Sequence, residues 1–282
     1  LPNADQLKTF KDYLLKFKMG PVDLQYETPN ILNALQIEVL KLYAKDPSAD
    51  TDDLEERMMK GLKILASIPL FTFSYARNKV FKSYPYPDRS LAENILCMAR
   101  GNDQYTFEEA KIMDTLLMVH ADHVGGNNST FANVVISSTG TDIYSCISAA
   151  IGSLKGPKHG GANCKVTNMF KAIFHEVGFT TDKATLKKIA NRILDKDFFD
   201  HSGLIYGIGH AIYTKSDPRA LLIHEQCEAL AKSKGQEEIY NCIHAFEKVA
   251  IEVMKERKDI DVCANVDYYS GYVYSLLGIE SD

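Results

Sequence analysis

Asp142-Ile-Tyr-Ser-Cys-Ile-Ser-Ala-Ala-Ile-Gly-Ser-Leu154 runs into Gly156-Pro157-Lys158-His159-Gly160-Gly161-Ala162-Asn163. The first stretch is apolar and rich in small residues nearly all round. It reads as a helix buried among its neighbours and packed closely on them. The second cannot continue that helix, because glycine and proline both disfavour helical backbone. A new helical pattern starts again over about 163–176. Helix, glycine turn around a histidine, helix: this unit sets the reading of the rest of the chain.

Upstream, Leu7, Phe10, Leu14 and Phe17 fall at helical spacing over 4–17, and Ile31, Leu35, Leu40 and Leu42 over 31–44. Residues 53–66 and 70–82 read as two helices separated by Pro69, and Tyr84-Pro85-Tyr86-Pro87 breaks the chain before a helix from Ser90 to Arg100. Thr106-Phe107-Glu108-Glu109 is a capping box in front of the apolar run Ile112 to Val119, and 129–137 is helical again. Downstream, helices are expected over 183–195, 217–232, 236–256 and 267–277. Ser216-Asp217-Pro218 opens one of them with a capping side chain and a proline in the first turn. There is no strand–turn–helix alternation and no hairpin signal, so the expected fold class is all-α. No internal repeat, low-complexity stretch or strong linker stands out.

Composition narrows the function. A chain of 282 residues has room for about two domains of roughly 150 residues each. Its 45% hydrophobic and 24% charged residues are an ordinary globular mix. A net charge of −5 argues against bulk nucleic-acid binding, which needs clustered lysine and arginine. Cys97, Cys146, Cys164, Cys227, Cys242 and Cys263 form no CxxC pair and suggest scattered thiols in a reducing, cytoplasmic setting. No apolar run reaches the 18 or so residues of a membrane span.

Three glycine clusters stand beside histidines: His120-Ala-Asp-His123-Val-Gly125-Gly126-Asn127-Asn128, the His159 loop, and Gly207-Ile208-Gly209-His210. Glycine there lets the backbone turn sharply and a ligand come close, and the helix start that follows suits an anion. His175, His201, His224 and His244 lack that context and read as structural. His120 and His123 are spaced for a metal, but HExxH is absent and Asp122 lies off their face, so no metal is expected. GIGH lacks the preceding strand and third glycine of a dinucleotide fingerprint, and there is no Walker A motif or nucleophile elbow. Near the C-terminus, Ala264-Asn265-Val266-Asp267-Tyr268-Tyr269-Ser270-Gly271 places a carboxylate at a helix start, where Asp267 by itself reads as a cap.

Taken in order, HADHxGGN, GPKHGGAN, GIGHAIYTKSDPRA and NVDYYSG resemble the signature segments of the citrate synthase family, over about Tyr86 to Gly278. The resemblance implies a large and a small helical domain (1–160 and 161–266, with 267–282 returning to the large one) and an active site in the cleft between them. It implies condensation of acetyl-CoA with oxaloacetate, then hydrolysis to citrate and CoA. His159 would hold the thioester carbonyl, Asp267 would remove a methyl proton, and His210 would polarise and protonate the ketone. His123, Arg219 and Asn127 would hold oxaloacetate, while Gly207, Ile208, Gly209 and Asn265 would meet CoA. No metal or other cofactor is implied, since acetyl-CoA is a substrate, and neither nucleic acid nor membrane is an expected partner. The family is usually dimeric. 2-Methylcitrate synthase, which takes propionyl-CoA, shares every motif; a citryl-CoA lyase module or a non-catalytic CoA-binding or assembly protein on the same fold are the other readings.

The chain departs from the family at Val124, where Glu is common, and at Ala264, where Pro is usual. It starts at Leu1 and ends soon after the Asp267 helix, where family members continue with helices carrying two more substrate-binding arginines. The expectation is a piece of a longer protein with an incomplete site.

Overall fold

The computed structural model describes residues 4–18, 30–122, 126–156 and 159–279. Among them are twelve helices: α1 (Ala4–Leu15), α2 (Ile31–Tyr43), α3 (Leu54–Ala76), α4 (Leu91–Arg100), α5 (Phe107–Ala121), α6 (Asn128–Ser137), α7 (Ile143–Leu154), α8 (Ala162–Val177), α9 (Lys183–Leu194), α10 (Pro218–Ser233), α11 (Glu237–Lys258) and α12 (Val266–Leu276). No sheet forms among the described residues; isolated bridges join Lys18 to Ser83 and Ile208 to Ala264. The all-α expectation holds.

The chain divides into two compact units. The first takes Leu1–Asp114 and His120–Gly160, over its described residues. Here α7 packs on α2, α3 and α6, and α2 packs on α3. The small residues of α7 explain the close fit: a β-carbon on Gly152 would lie 2.6 Å from the Gln36 amide. Tyr144 is fully buried and donates its hydroxyl to Asp46 at 2.7 Å, so the polar tip of this core side chain stays partnered. The capping box expected at Thr106/Glu109 forms, and a second one closes at Ser90/Glu93.

One expectation is corrected. Pro69 does not separate two helices: α3 runs unbroken from Leu54 to Ala76, with Pro69 inside it. Proline removes one backbone donor, yet Ile64, Leu70, Phe71 and Ser74 keep a buried stripe on both sides of it. Hydroxyls also bond to carbonyls in this stretch, Ser67 to Lys63 at 2.6 Å and Thr72 to Ile68 at 2.8 Å. Tertiary burial outweighs the local break. The helix ends at Ala76, short of the expected 82.

The second unit takes Thr115–Val119 and Gly161–Asp282, over its described residues. Here α12 packs on α8 and α10, α11 on α9, and α10 on α11. Its centre is aromatic: the Phe170 ring meets Tyr268 and Phe246 edge-on at 5.5 and 5.8 Å. Phe246 and Tyr268 are almost wholly buried, and truncating Phe246 to alanine would cost about 3–5 kcal/mol. At Gly271 the α12 backbone comes so close to α8 that a β-carbon would sit 2.6 Å from the Thr167 hydroxyl.

Candidate active site

In the second unit the site is built around the start of α12. Asn265, not Asp267, is the helix cap: its side-chain oxygen accepts from the Asp267 amide at 3.0 Å. Its amide group donates to the Gly209 carbonyl at 2.8 Å, and its backbone N–H donates to the Gly207 carbonyl at 2.9 Å. Gly209 returns a hydrogen bond to Cys263 at 2.8 Å. Gly207, Gly209 and Asn265 are thus joined by hydrogen bonds, with Ile208 between the two glycines. Gly207 has φ +82°, and a β-carbon there would lie 3.0 Å from the Tyr268 Cα. Only glycine fits both conditions.

That cap frees Asp267 for other work. The carboxyl sits in the first turn of α12, half-buried, where the helix dipole favours its charge. Burial nevertheless pushes its pKa up to about 6; Arg219 pulls it down and Asp217 pushes it up. A carboxylate poised near neutral pH is suited to removing a proton.

His210 is held by the chain that follows it. Its Nδ1 accepts from the amides of Ile212 and Tyr213 at 3.1 and 3.2 Å, and its ring stacks on Tyr213 at 4.9 Å. Two amide donors on Nδ1 leave the proton of the neutral ring on Nε2, pointing away from that turn. Arg219 Nη2 lies 3.4 Å from Nε2. Both groups are then donors, so this close approach is a repulsion rather than a hydrogen bond. Burial lowers the His210 pKa, Arg219 lowers it further and Asp217 opposes both. The ring is therefore a neutral donor.

Arg219 and Asp217 form a buried fork at the start of α10. Asp217 Oδ1 accepts from Nε at 3.0 Å and Oδ2 from Nη2 at 2.8 Å, while Oδ1 also caps the helix on the Arg219 amide at 3.0 Å. Burial alone would raise the Asp217 pKa, but its bonds to Arg219 hold it below the usual carboxylate range. The sequence marked Asp217 only as a cap; its grip on Arg219 two residues on was the missed role.

In the first unit, His159 follows α7. Its amide bonds to Gly156 at 2.9 Å, and Gly160 bonds back to Leu154 at 3.0 Å. A β-carbon on Gly160 would stand 2.6 Å from the Leu154 carbonyl, so the turn needs glycine. His159 Nε2 lies 2.9 Å from the Ser129 hydroxyl, which is also 2.9 Å from the Ala150 carbonyl. A hydroxyl has one proton, so its choice of acceptor and the ring's tautomer are linked. Sequence reading missed Ser129, which lies one residue beyond the motif ending at Asn128 and carries no signal of its own. Asn127 caps α6, accepting from the Ser129 and Thr130 amides at 2.9 and 3.1 Å. His123 lies outside the described residues. No group of three potential metal ligands occurs among the described residues.

Known proteins match this chain over its whole length. The profile of the family described as citrate synthase, C-terminal domain, matches residues 1–282. A citrate synthase from Deinococcus radiodurans is 34% identical, the alignment covering 100% of this chain and 72% of the relative. The 2-methylcitrate synthase 1 of Corynebacterium glutamicum is 30% identical, covering 100% of this chain and 72% of the relative. The solved structure of a Thermoplasma acidophilum citrate synthase, in ternary complex with carboxymethyl coenzyme A and oxaloacetate, superposes with a TM-score of 0.77 at 26% identity, over 99% of this chain and 71% of that one.

Proposed function

The chain belongs to the citrate synthase family, and from that premise we propose how its residues divide the work. It is an acyltransferase that condenses acetyl-CoA with oxaloacetate and releases citrate and CoA, with no separate cofactor. A thioester methyl is a very weak acid, so its proton leaves only if the enolate oxygen is stabilised as it forms. Asp267 takes that proton, and the observation that carries the assignment is its pKa of about 6 beside Arg219. His159 donates to the enolate oxygen, its ring held by the Ser129 hydroxyl 2.9 Å from Nε2.

The enolate carbon then attacks the ketone carbon of oxaloacetate. His210 donates its Nε2 proton to the alkoxide that results, a role supported by the two amides on Nδ1. Arg219, its plane set by Asp217, holds a substrate carboxylate together with His123 and Asn127. The Gly207–Ile208–Gly209 turn and Asn265 meet CoA. Water finally cleaves the citryl thioester.

The domain boundaries at 160 and 266 follow the same resemblance, and the change of packing unit at Gly161 supports the first. A homodimer is supported by α6, which buries none of its residues within the chain and exposes Phe131, Val134 and Val135. No helix among the described residues is long and apolar enough to cross a membrane. A cytoplasmic setting is supported by the six free cysteines, and the lack of a nucleic-acid partner by the net charge of −5. Production of 2-methylcitrate from propionyl-CoA is the second reading, favoured by the relative of that name.

The test is release of CoA thiol from acetyl-CoA and from propionyl-CoA, with and without oxaloacetate, by the protein and its Asp267→Asn variant. Oxaloacetate-dependent release, faster with acetyl-CoA and lost in the variant, is expected. Faster release from propionyl-CoA would favour the second reading. Full activity in the variant would remove Asp267 as the base.

A further inference from the structure

Three helices of the second unit meet over a cluster of two buried tyrosines and three half-buried polar side chains that the reaction leaves unused. His224 comes from α10, Tyr240, His244 and Glu247 from α11, and Tyr269 from α12, two residues beyond Asp267. The His224 and His244 rings stack with centroids 4.7 Å apart, and Tyr240 lies parallel to His244 within 6° at 5.8 Å. The Tyr240 hydroxyl meets His224 Nε2 at 2.8 Å. The Tyr269 hydroxyl donates its single proton to the Glu247 carboxylate and accepts from His244 Nδ1 at 3.1 Å. That order puts the proton of His244 on Nδ1.

These contacts matter because of where α12 is held. Its backbone packs closely on α8 and α10. Three phenols of α12 reach α11: Tyr268 donates to the Ile243 carbonyl at 2.8 Å, Tyr272 to the carbonyl of the capping Gln236 at 3.0 Å, and Tyr269 reaches Glu247 and His244. Tyr268 and Tyr269 are about 1% exposed, so neither hydroxyl has water as an easy substitute.

Glu247 is also within 3.6 Å of His244 Nδ1. While His244 is neutral, the carboxylate takes the phenol proton. An imidazolium would compete for the same oxygen with a full charge, drawing Glu247 from Tyr269. Burial lowers the His244 pKa, with Lys248 and His224 adding to the effect and Glu247 opposing it. The groups facing the stack are His224 and Glu228 from α10, Tyr240, Glu247 and Lys248 from α11, and Tyr269 from α12. From α9, Lys183 and Lys187 pair with Glu252 and Glu256 further along α11.

We propose that Tyr269 is a positioning residue for Asp267, and that the His224–His244 stack makes its hold on α12 sensitive to one proton. With His244 neutral, Tyr269 helps tie α12 to α11. When His244 is protonated, Glu247 turns to it, Tyr269 loses its acceptor and the base is no longer held in register. The inference rests on Asp267 being the base.

The experiment is the pH profile of kcat and KM for the protein, for Tyr269→Phe and for His244→Gln, with Asp267→Asn as reference. Two protons then limit activity on the acid side, so log kcat should fall with a slope approaching roughly two. His244→Gln keeps a donor for Tyr269 but cannot gain charge, and its acid limb should fall with a slope of about one. Tyr269→Phe should lower kcat about tenfold at neutral pH, leave both KM values within about twofold and share the single-proton limb. A purely structural role would lower the melting temperature and leave the slope alone. A single-proton limb in the unaltered protein, or a steep limb that His244→Gln does not change, overturns the proposal. Full activity in Asp267→Asn would instead overturn the base assignment, and this inference with it.

Discussion

His210 is held by the amides of the two residues that follow in its own turn, whereas His159 is held by a hydroxyl from another helix, Ser129 of α6. Both stand among glycines in the sequence, yet the physical consequences differ. An amide N–H can only donate, so it leaves His210 one neutral tautomer. A hydroxyl can donate or accept, so Ser129 lets the ring proton of His159 sit on either nitrogen. The second unit therefore fixes its donor through backbone and buried charge, and the first through a single side chain that can turn. Breaking the second unit's arrangement should cost far more than breaking the first's.

The largest effect is expected at Asp267. Asp267→Asn should lower kcat by about 10²–10⁴-fold while leaving the fold intact. It should also make the protein more stable at neutral pH. A folded pKa of about 6 against an ordinary 3.8 means the folded chain binds this proton more tightly than the unfolded one. The stability linked to that proton is full at low pH and is lost as pH rises from about 4 to above 6, up to about 3 kcal/mol. Denaturant titrations at pH 7 and pH 4 check it: the variant's gain should appear at the first and vanish at the second.

Gly207→Ala comes next. Its left-handed φ and the close approach of Tyr268 should cost the fold about 1–3 kcal/mol, read as a lower denaturation midpoint. Ser129→Ala should lower kcat by only about tenfold, the worth of one hydrogen bond to the ring, with stability changed by about 1 kcal/mol or less. A loss as large as that of Asp267→Asn would erase the contrast between the two histidines. The smallest effect belongs to Phe131, two residues from Ser129 and 62% exposed. Phe131→Ser should alter chain stability by at most about 0.5 kcal/mol, yet weaken self-association in sedimentation measurements.

Much of this was legible in advance. The small-residue run of α7 announced a buried helix, and the Thr106/Glu109 and Asp217-Pro218 signals announced helix starts. Pro69 misled because a local breaker says nothing of the buried stripe that carries α3 through it. Asp267 looked like a cap until Asn265 was seen capping the same helix, a choice between two good cap residues that spacing cannot settle. Ser129 was invisible because its partner lies thirty residues away in the chain.

The sequence by itself determined what depends on neighbours along the chain: helix starts, glycine turns, the all-α class and the motifs that carry the family. Tertiary structure decided which nitrogen of His210 bears a proton, what Arg219 grips, and why Asp267 titrates near pH 6. Those properties come from burial and from atoms meeting across helices. Desolvation and charge act through space, and no local pattern of residues records that distance.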